Sequence, residues 1–459
     1  MSTREVDVGA LLEERRLGAF HWLILLLGVL ILFVDGLDFS ASNVGAPAIM
    51  RAFNVERAGV TIVLVSGFAG ILVGSLLFGA IGDRYGRRVG AILGVLAYSI
   101  PGLLTIFVTS LDQLAVLRFL TGLGMGGVVP NVIALLTESA PKKYRVTFVM
   151  VGYIGYSLGN AIIAQVAAWL TPIYGWSVVF FVAGAVGLVL CGVLLLLLPE
   201  SISYLAVKKP DAPDLLRQVR FAAPEIRIDQ DTRFVLHRPA DEQRFSLDLL
   251  FTGVRRLATP LLWIAYFCEF LTYMTLAAWF SVILEDAGLM PTQASLTFSY
   301  AYLGAMAAIL ILARLVDAFG PKAAVFSAAI SFVCLIYLGT PGLSAAAVIP
   351  IAIVALAFSS ATHQSLNGIV GGFYPTVIRS NGVGIASGWG RAAAIIGPYI
   401  AGQLFAANLP LQQVLSLIAA PYVIVAIACL ALDRLQKRMR DAAETQTASE
   451  PLKAAQLHS

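Results

Sequence analysis

The chain has 459 residues, of which 59% are apolar and 13% charged, whereas soluble domains usually carry ~25% charged residues. That composition excludes a water-soluble globule and places the chain in a lipid bilayer. The formal net charge of +4 gives no basis for a nucleic-acid partner, since it is small and its placement matters more than its total.

Reading apolar windows in chain order predicts an all-α membrane protein with twelve spans. A short polar N-tail, residues 1–19, precedes six windows near 20–47, 58–81, 89–109, 113–137, 146–170 and 176–198. Residues 199–257 form the long polar segment and divide the chain into two six-helix bundles, 20–198 and 258–432. The second bundle has windows near 258–284, 293–316, 322–340, 345–373, 380–406 and 411–432, and a tail over 433–459 is expected to be disordered after Asp441. The first window is too long for a signal-peptide core, carries acids and lacks a small-residue cleavage site, so no cleavable leader is expected.

Charge placement predicts the orientation. Arg51 and Arg57 fall in odd-numbered loops, and Arg118 and Arg391 inside spans. Nearly all of the rest of the 31 Lys and Arg fall in the N-tail, the even-numbered loops or the C-tail. By the positive-inside bias both termini and the 199–257 loop are cytoplasmic, in a multi-pass protein of the cell inner membrane. Cys191, Cys268, Cys334 and Cys429 all lie in spans, so neither a disulfide framework nor a metal motif is expected. No cofactor is expected, and the chain lacks a Walker A loop or a nucleophile triad, so an enzyme is not expected either.

Asp35 and Asp38 interrupt the first window in Leu32-Phe-Val-Asp-Gly-Leu-Asp-Phe39. A carboxylate near the bilayer centre costs roughly 2.5–3.5 kcal/mol on insertion scales. At a spacing of three the two share one helix face, which must turn to protein or water. At 1.5 Å per residue from Phe20, Asp35 lies about 22 Å and Asp38 about 27 Å into the bilayer. Span four runs the other way, which puts Arg118 about 9 Å from the outer surface, at a shared depth. A carboxylate–guanidinium cluster would lower the cost of all three. It serves either as a static brace or as a proton site, because opening to water on either side switches a carboxylate's protonation.

The two halves match at a constant offset of 234 residues. Asp83, Gly86 and Arg88 meet Asp317, Gly320 and Lys322; Pro141 and Arg145 meet Pro375 and Arg379; Asp35 meets Glu269. Parallel six-span repeats describe transporters with a substrate site between the halves, and a channel is the alternative. Glu269 and Arg391 both sit about 16 Å deep. Arg suits a bidentate grip on a substrate carboxylate, so Arg391 is the candidate anchor; the alternative is a plain Glu269–Arg391 salt bridge. His363, beside Gln364 and Asn367 in span ten, is the one deep histidine of four. It is either hydrogen-bonded packing or a proton carrier and polar substrate contact. Among the aromatics, Tyr156 and Trp389 lie near repeat-related positions of spans five and eleven and are the candidates for stacking on substrate.

Gly82-Asp83-Arg84-Tyr85-Gly86-Arg87-Arg88 resembles the signature loop of the major facilitator superfamily. Arg118-x3-Gly122-x-Gly124-x-Gly126-Gly127-x2-Pro130-Asn131 and Glu138-x2-Pro141-x3-Arg145 resemble its span-four motifs. Within it, Asp35-Gly36-x-Asp38, Leu198-Pro199-Glu200-Ser201, Tyr374-Pro375-Thr376-x2-Arg379 and Gly388-x-Gly390-Arg391-x5-Gly397-Pro398 resemble the aromatic acid:proton symporters. The resemblance implies import of benzoate- or hydroxybenzoate-like acids with protons, by alternating access. It also implies that the span-one acids carry protons; with Arg118 at their depth and Glu269 at Asp35's repeat position, Asp35, Asp38, Arg118 and Glu269 are the expected coupling set. It implies further that Asp83, Arg87 and Arg88, joined by Glu138, Arg145, Asp317 and Arg379, latch the halves. Span five lacks the Gly-Pro pair of many drug antiporters, which favours import. Nothing in the sequence reads ring size, so another organic acid, a sugar or a vitamin-like ring acid stays open. A drug/proton antiporter and a membrane sensor remain as rivals. A monomer is expected, with the small acid, protons and the bilayer its only partners.

Overall fold

The computed structural model describes residues 4–13, 17–210, 212–223, 232–235, 247–374 and 376–456. A short strand β1 (Arg4–Asp7) and helix α1 (Val8–Glu13) precede α2 (Ala19–Phe53), α3 (Arg57–Tyr85) and α4 (Arg87–Leu104). Next come α5 (Leu111–Ser139), α6 (Arg145–Tyr174), α7 (Val178–Leu197), α8 (Ile202–Lys208), α9 (Pro213–Ala222) and strand β2 (Thr232–Val235). The second half holds α10 (Arg255–Asp286), α11 (Pro291–Phe319), α12 (Lys322–Leu338), α13 (Ala345–Phe373), α14 (Thr376–Ala406), α15 (Leu411–Ala419) and α16 (Pro421–Gln456).

Among the described residues, 10 helical stretches are long and apolar enough to cross a membrane, where the sequence predicts twelve. The remaining two predicted windows hold α12, with 17 residues, and α14, with 31. In lipid every backbone polar group must be satisfied within the segment, which leaves the helix as the form for these apolar runs. The last window is broken: Pro421 has no N–H to continue the ladder, so α15 ends at Ala419 and α16 begins anew. Beyond Asp441 the chain continues as helix to Gln456, through residues expected to be disordered. Ala, Glu, Gln and Lys dominate there, and they favour helix.

Two departures from the all-α expectation occur in polar segments. β1 and β2 pair in parallel, from Arg4 opposite Thr232 to Asp7 opposite Val235. This ties the N-tail to the loop between the halves. Phe234, with Val8, Leu215 and Val219, joins the same apolar core as Phe20, Ile24 and Leu205, so the loop and tail are packed onto the end of the first bundle.

Contacts divide the chain into two compact units. The first comprises residues 1–240 with 277–303 and 398–408; the second comprises 241–276, 304–397 and 409–459. In the first unit α2 packs along α6, α3 along α5, and α4 against α5 and α7. In the second, α12 lies against α13 and α16. Ser327 and Ser331 of α12 donate to the carbonyls of Phe358 and Ala355, 2.9 and 3.1 Å away. Such small polar residues are the usual glue between helices in lipid.

Candidate functional site

Close approach of α2 to α6 sets up the first site. A side chain at Gly36 would run into the Tyr156 carbonyl, and one at Gly159 into the Phe33 carbonyl. Two glycines facing opposite backbones let the helices meet, as small residues do in membranes. Ser40 donates to the side chain of Asn160, whose Nδ2 donates to the Tyr156 carbonyl at 2.7 Å. The contact fixes the stretch of α2 that bears Asp35 and Asp38, each 3% exposed.

Arg118 comes from α5 and is 2% exposed. Its Nη1 lies 3.4 Å from Asp38 Oδ1, its Nη2 donates to Thr105 Oγ1 at 3.0 Å, and its guanidinium sits 4.3 Å from the Phe180 ring centroid. The Asp38 contact is long against the 2.7–2.9 Å usual for charge-assisted bonds. Asp35 stands apart from this pair. Among the described residues, Asp35 Oδ1, Asp38 Oδ2 and Arg118 Nε are buried without a hydrogen-bond partner. The Tyr98 hydroxyl is equally orphaned and lies within electrostatic reach of both aspartates. An orphaned buried polar group costs about 1–3 kcal/mol, so a water or a proton is welcome here. A cavity of about 30 Å³ beside Asp38, Arg118, Phe39 and Phe68 is large enough for water. Tyr156 borders this region, its ring 5.8 Å from Phe39.

The second unit holds a different arrangement. Glu269 on α10 is fully buried, and its Oε2 lies 2.8 Å from His363 Nδ1 on α13. With Glu269 ionised the carboxylate can only accept, and Nδ1–H is then the donor. Tyr273 stacks on the imidazole at 5.2 Å and Phe270 meets it edge-on at 4.4 Å. One helical turn along α13, Asn367 accepts from Tyr266 Oη at 2.6 Å, and its Nδ2 reaches Gln364 Oε1 at 3.4 Å. Arg391 lies on α14 one residue past Gly390, where the Phe270 ring fills the space a side chain would take. Trp389 is 49% exposed, with its ring 6.1 Å from Trp263. The sequence paired Glu269 with Arg391 by depth; the partner given to Glu269 by the fold is His363.

The loop between α3 and α4 is built around Gly86, at φ +116°, where a side chain would also collide with the Glu200 carboxylate. Glu200 Oε1 accepts from the backbone N–H groups of Arg88 at 3.0 Å and Ser201 at 2.9 Å. It thereby caps the first turn of α4, where unpaired N–H groups favour an anion. Burial pushes the Glu200 carboxyl above the usual carboxylate range, against the pull of those backbone bonds. Arg87 bonds Asp83 and lies 3.5 Å from Glu138, which in turn accepts from the Ser201 hydroxyl. Arg88 Nη2 donates to the Leu195 carbonyl at 2.6 Å. Asp83 is 70% exposed along its side chain, and Arg145 opens α6 half-buried. The side chains of Asp317 and Arg379 lie outside the described residues.

Sequence reasoning treated Arg51 and Arg57 as topology markers only. In the structure they pair with Glu285 at 2.6 Å and Asp286 at 2.5 Å, lining a cavity of about 310 Å³. Arg51 and Glu285 are 234 residues apart, the repeat offset, and that coincidence was the available signal. Thr105, Phe180, Tyr98 and Glu200 were also missed as partners, since uncharged or loop residues carry no mark of what they touch.

A family model described as Major Facilitator Superfamily matches residues 28–252 and 262–457. A gallate transporter of Pseudomonas putida is 30% identical, over 93% of this chain and 95% of its own length. The 4-hydroxybenzoate transporter PcaK of Acinetobacter baylyi is 29% identical, over 92% and 93%. A bacterial homologue of the human lysosomal transporter Spinster shares the fold, with TM-score 0.70 and 16% identity over 92% of this chain and 98% of that one. With the repeat, the signature loop and the buried span-one acids, these matches establish that the chain is a multi-pass membrane protein belonging to the Major Facilitator Superfamily and similar to transporters of aromatic acids.

Proposed function

We propose that this protein imports an aromatic carboxylate together with protons, by alternating access. The observation that carries the reading is Asp35, a buried carboxylate with an oxygen that has no hydrogen-bond partner among the described residues. It lies one turn from an Asp38–Arg118 ion pair. An ion-pair brace alone needs no second acid. A carboxylate held beside the pair, with space for water nearby, suits uptake and release of a proton. Similarity to gallate and 4-hydroxybenzoate transporters over nearly the whole chain supports an aromatic acid as cargo.

In this reading twelve spans form bundles 20–198 and 258–432, with both termini on the cytoplasmic side of the inner membrane and the monomer as the working unit. Protons load Asp35 and Asp38 from outside, with Arg118 and Glu269 completing the coupling set. Arg391 grips the acid, while His363, Gln364, Asn367, Tyr156 and Trp389 contribute polar and ring contacts. Asp83, Arg87, Arg88, Glu138, Arg145, Asp317 and Arg379 form the cytoplasmic latch. A latch of several weak, partly exposed contacts can break on each cycle at ~0.3–1 kcal/mol apiece.

The test is uptake into proteoliposomes under an imposed pH gradient, across labelled benzoate, 4-hydroxybenzoate, gallate, a vitamin-like ring acid, a sugar and a cationic drug. Gradient-driven accumulation restricted to ring carboxylates is expected. Accumulation of the sugar or drug instead, or none that follows the gradient, would overturn the reading.

A further inference from the structure

His363 and Glu269 meet inside the second unit as one buried pair, and the two members differ in what they face. Glu269 is sealed at 0% side-chain exposure, while the His363 side chain keeps 14%. Nδ1 is committed to the carboxylate, and Nε2 has no hydrogen-bond partner among the described residues. Tyr273 covers one face of the imidazole and Phe270 its edge. One edge of the ring, bearing Nε2, is therefore left for something else.

The charge states decide what that is. With no extra proton the pair is Glu⁻ and neutral His, net −1, and Nε2 is an acceptor. An anion approaching this state meets a lone pair and a buried negative charge. With one proton added at Nε2 the pair is Glu⁻ and His⁺, net zero, and Nε2–H is a donor. An anion now meets a charge-assisted donor already locked in orientation by Glu269, with two rings beside it. The Glu269 carboxylate on Nδ1 fixes the tautomer, as a carboxylate does for a histidine bound to a metal.

We propose that the Glu269–His363 pair is a proton-dependent carboxylate-binding site: Nε2–H of the protonated imidazole donates to the carboxylate of an aromatic acid whose ring lies against the partly buried Phe270. The inference rests on the transport reading above and adds to it. Proton and substrate bind here as one event, separate from the Asp35 site. The bond made is N–H···O; the proton comes from solvent and returns to it when the acid leaves. The other groups facing the pair do not reverse this logic. Tyr266 is engaged with Asn367. Tyr422 of α16 bonds Ser359 and lies within electrostatic reach of Glu269, and Tyr273 is the stacking ring. Arg391 of α14, one residue past the Gly390 that meets Phe270, is a fixed positive charge and adds no pH dependence of its own.

Equilibrium binding of labelled 4-hydroxybenzoate to purified full-length protein, from about pH 5.5 to 8, tests this. Wild type is expected to bind about tenfold more weakly at the alkaline end, the worth of one charge-assisted bond. His363→Gln is expected to bind weakly with a flat pH profile, and Glu269→Gln to displace the midpoint. Thermal melting of each variant, with benzoate-independent unfolding as reference, confirms that the fold is retained. A His363→Gln protein with wild-type affinity and profile would overturn this inference and leave the transport reading standing. Failure of wild type to bind any ring carboxylate would overturn both.

Discussion

The two halves each bury an acid and a basic partner, and they satisfy them to different degrees. In the first unit Asp38 and Arg118 are 3.4 Å apart, both almost wholly excluded from solvent, with an unpartnered atom on Asp35, on Asp38 and on Arg118. In the second, Glu269 and His363 are 2.8 Å apart, Glu269 Oε1 alone of the dyad is buried without a hydrogen-bond partner among the described residues, and the base is partly open, wrapped in aromatic rings. The difference separates two jobs. In the proposed reading the longer pair with its second acid takes the proton, and the shorter dyad with one open edge takes the anion of an aromatic acid.

Removing Arg118 strikes hardest at the first arrangement. Breaking a buried pair from one side costs about 3–5 kcal/mol because the other charge is stranded. Arg118→Ala is expected to melt far below wild type in detergent, and the Asp38→Asn, Arg118→Ala double variant to recover much of the loss. A double variant as unstable as the single would mean Arg118 acts through Thr105 and Phe180 instead. Next in size is Arg391→Ala, expected to raise KM at least about tenfold, the loss of a bidentate contact worth ~1.5–3 kcal/mol, with little change in melting. A normal KM would remove Arg391 from the site and leave anion recognition to the histidine dyad.

A smaller effect is expected at Glu200. Its carboxyl is raised by burial, so the protonated form is favoured in the folded protein. Stability is then greatest below the ordinary carboxylate range and falls as pH rises through the raised midpoint. Glu200→Gln keeps the acceptor for Arg88 and Ser201 and is expected to flatten that slope in thermal melts taken across pH. A slope identical to wild type would assign the pH dependence elsewhere. Smallest is Arg57→Gln: its ion pair with Asp286 is partly open to solvent, where such pairs are worth roughly 0.2–1 kcal/mol. A shift in melting larger than this would show that Arg57 braces its neighbours through the Phe405 contact as well.

How much of this was legible in the sequence follows from what one dimension encodes. Depth is a count of residues times 1.5 Å, and it brought Asp35, Asp38 and Arg118 to a shared level without choosing between the two acids. Azimuth is not encoded that way. Asp35 and Asp38 share a face at a spacing of three, yet only Asp38 meets Arg118; Glu269 and Arg391 share a depth, yet His363 takes the carboxylate. Uncharged partners such as Thr105 or Phe180 carry no sequence mark, because any threonine or phenylalanine in an apolar helix looks alike. The Gly36–Gly159 contact was similarly hidden, since a chain with 41 glycines does not reveal which face a neighbouring backbone. Breaks at proline and the ribbon of β1 with β2 depend on where polar segments fold back, which periodicity does not reach.

The most direct test of proton coupling follows protons and substrate together. Proteoliposomes loaded with a pH-sensitive dye are given 4-hydroxybenzoate outside, with wild type and Asp35→Asn compared. Wild type is expected to acidify the lumen as labelled acid enters. Asp35→Asn is expected to exchange labelled for unlabelled acid while moving no protons and building no gradient. Lumen acidification by Asp35→Asn equal to wild type would contradict the account, and so would wild-type entry of the acid with no proton movement.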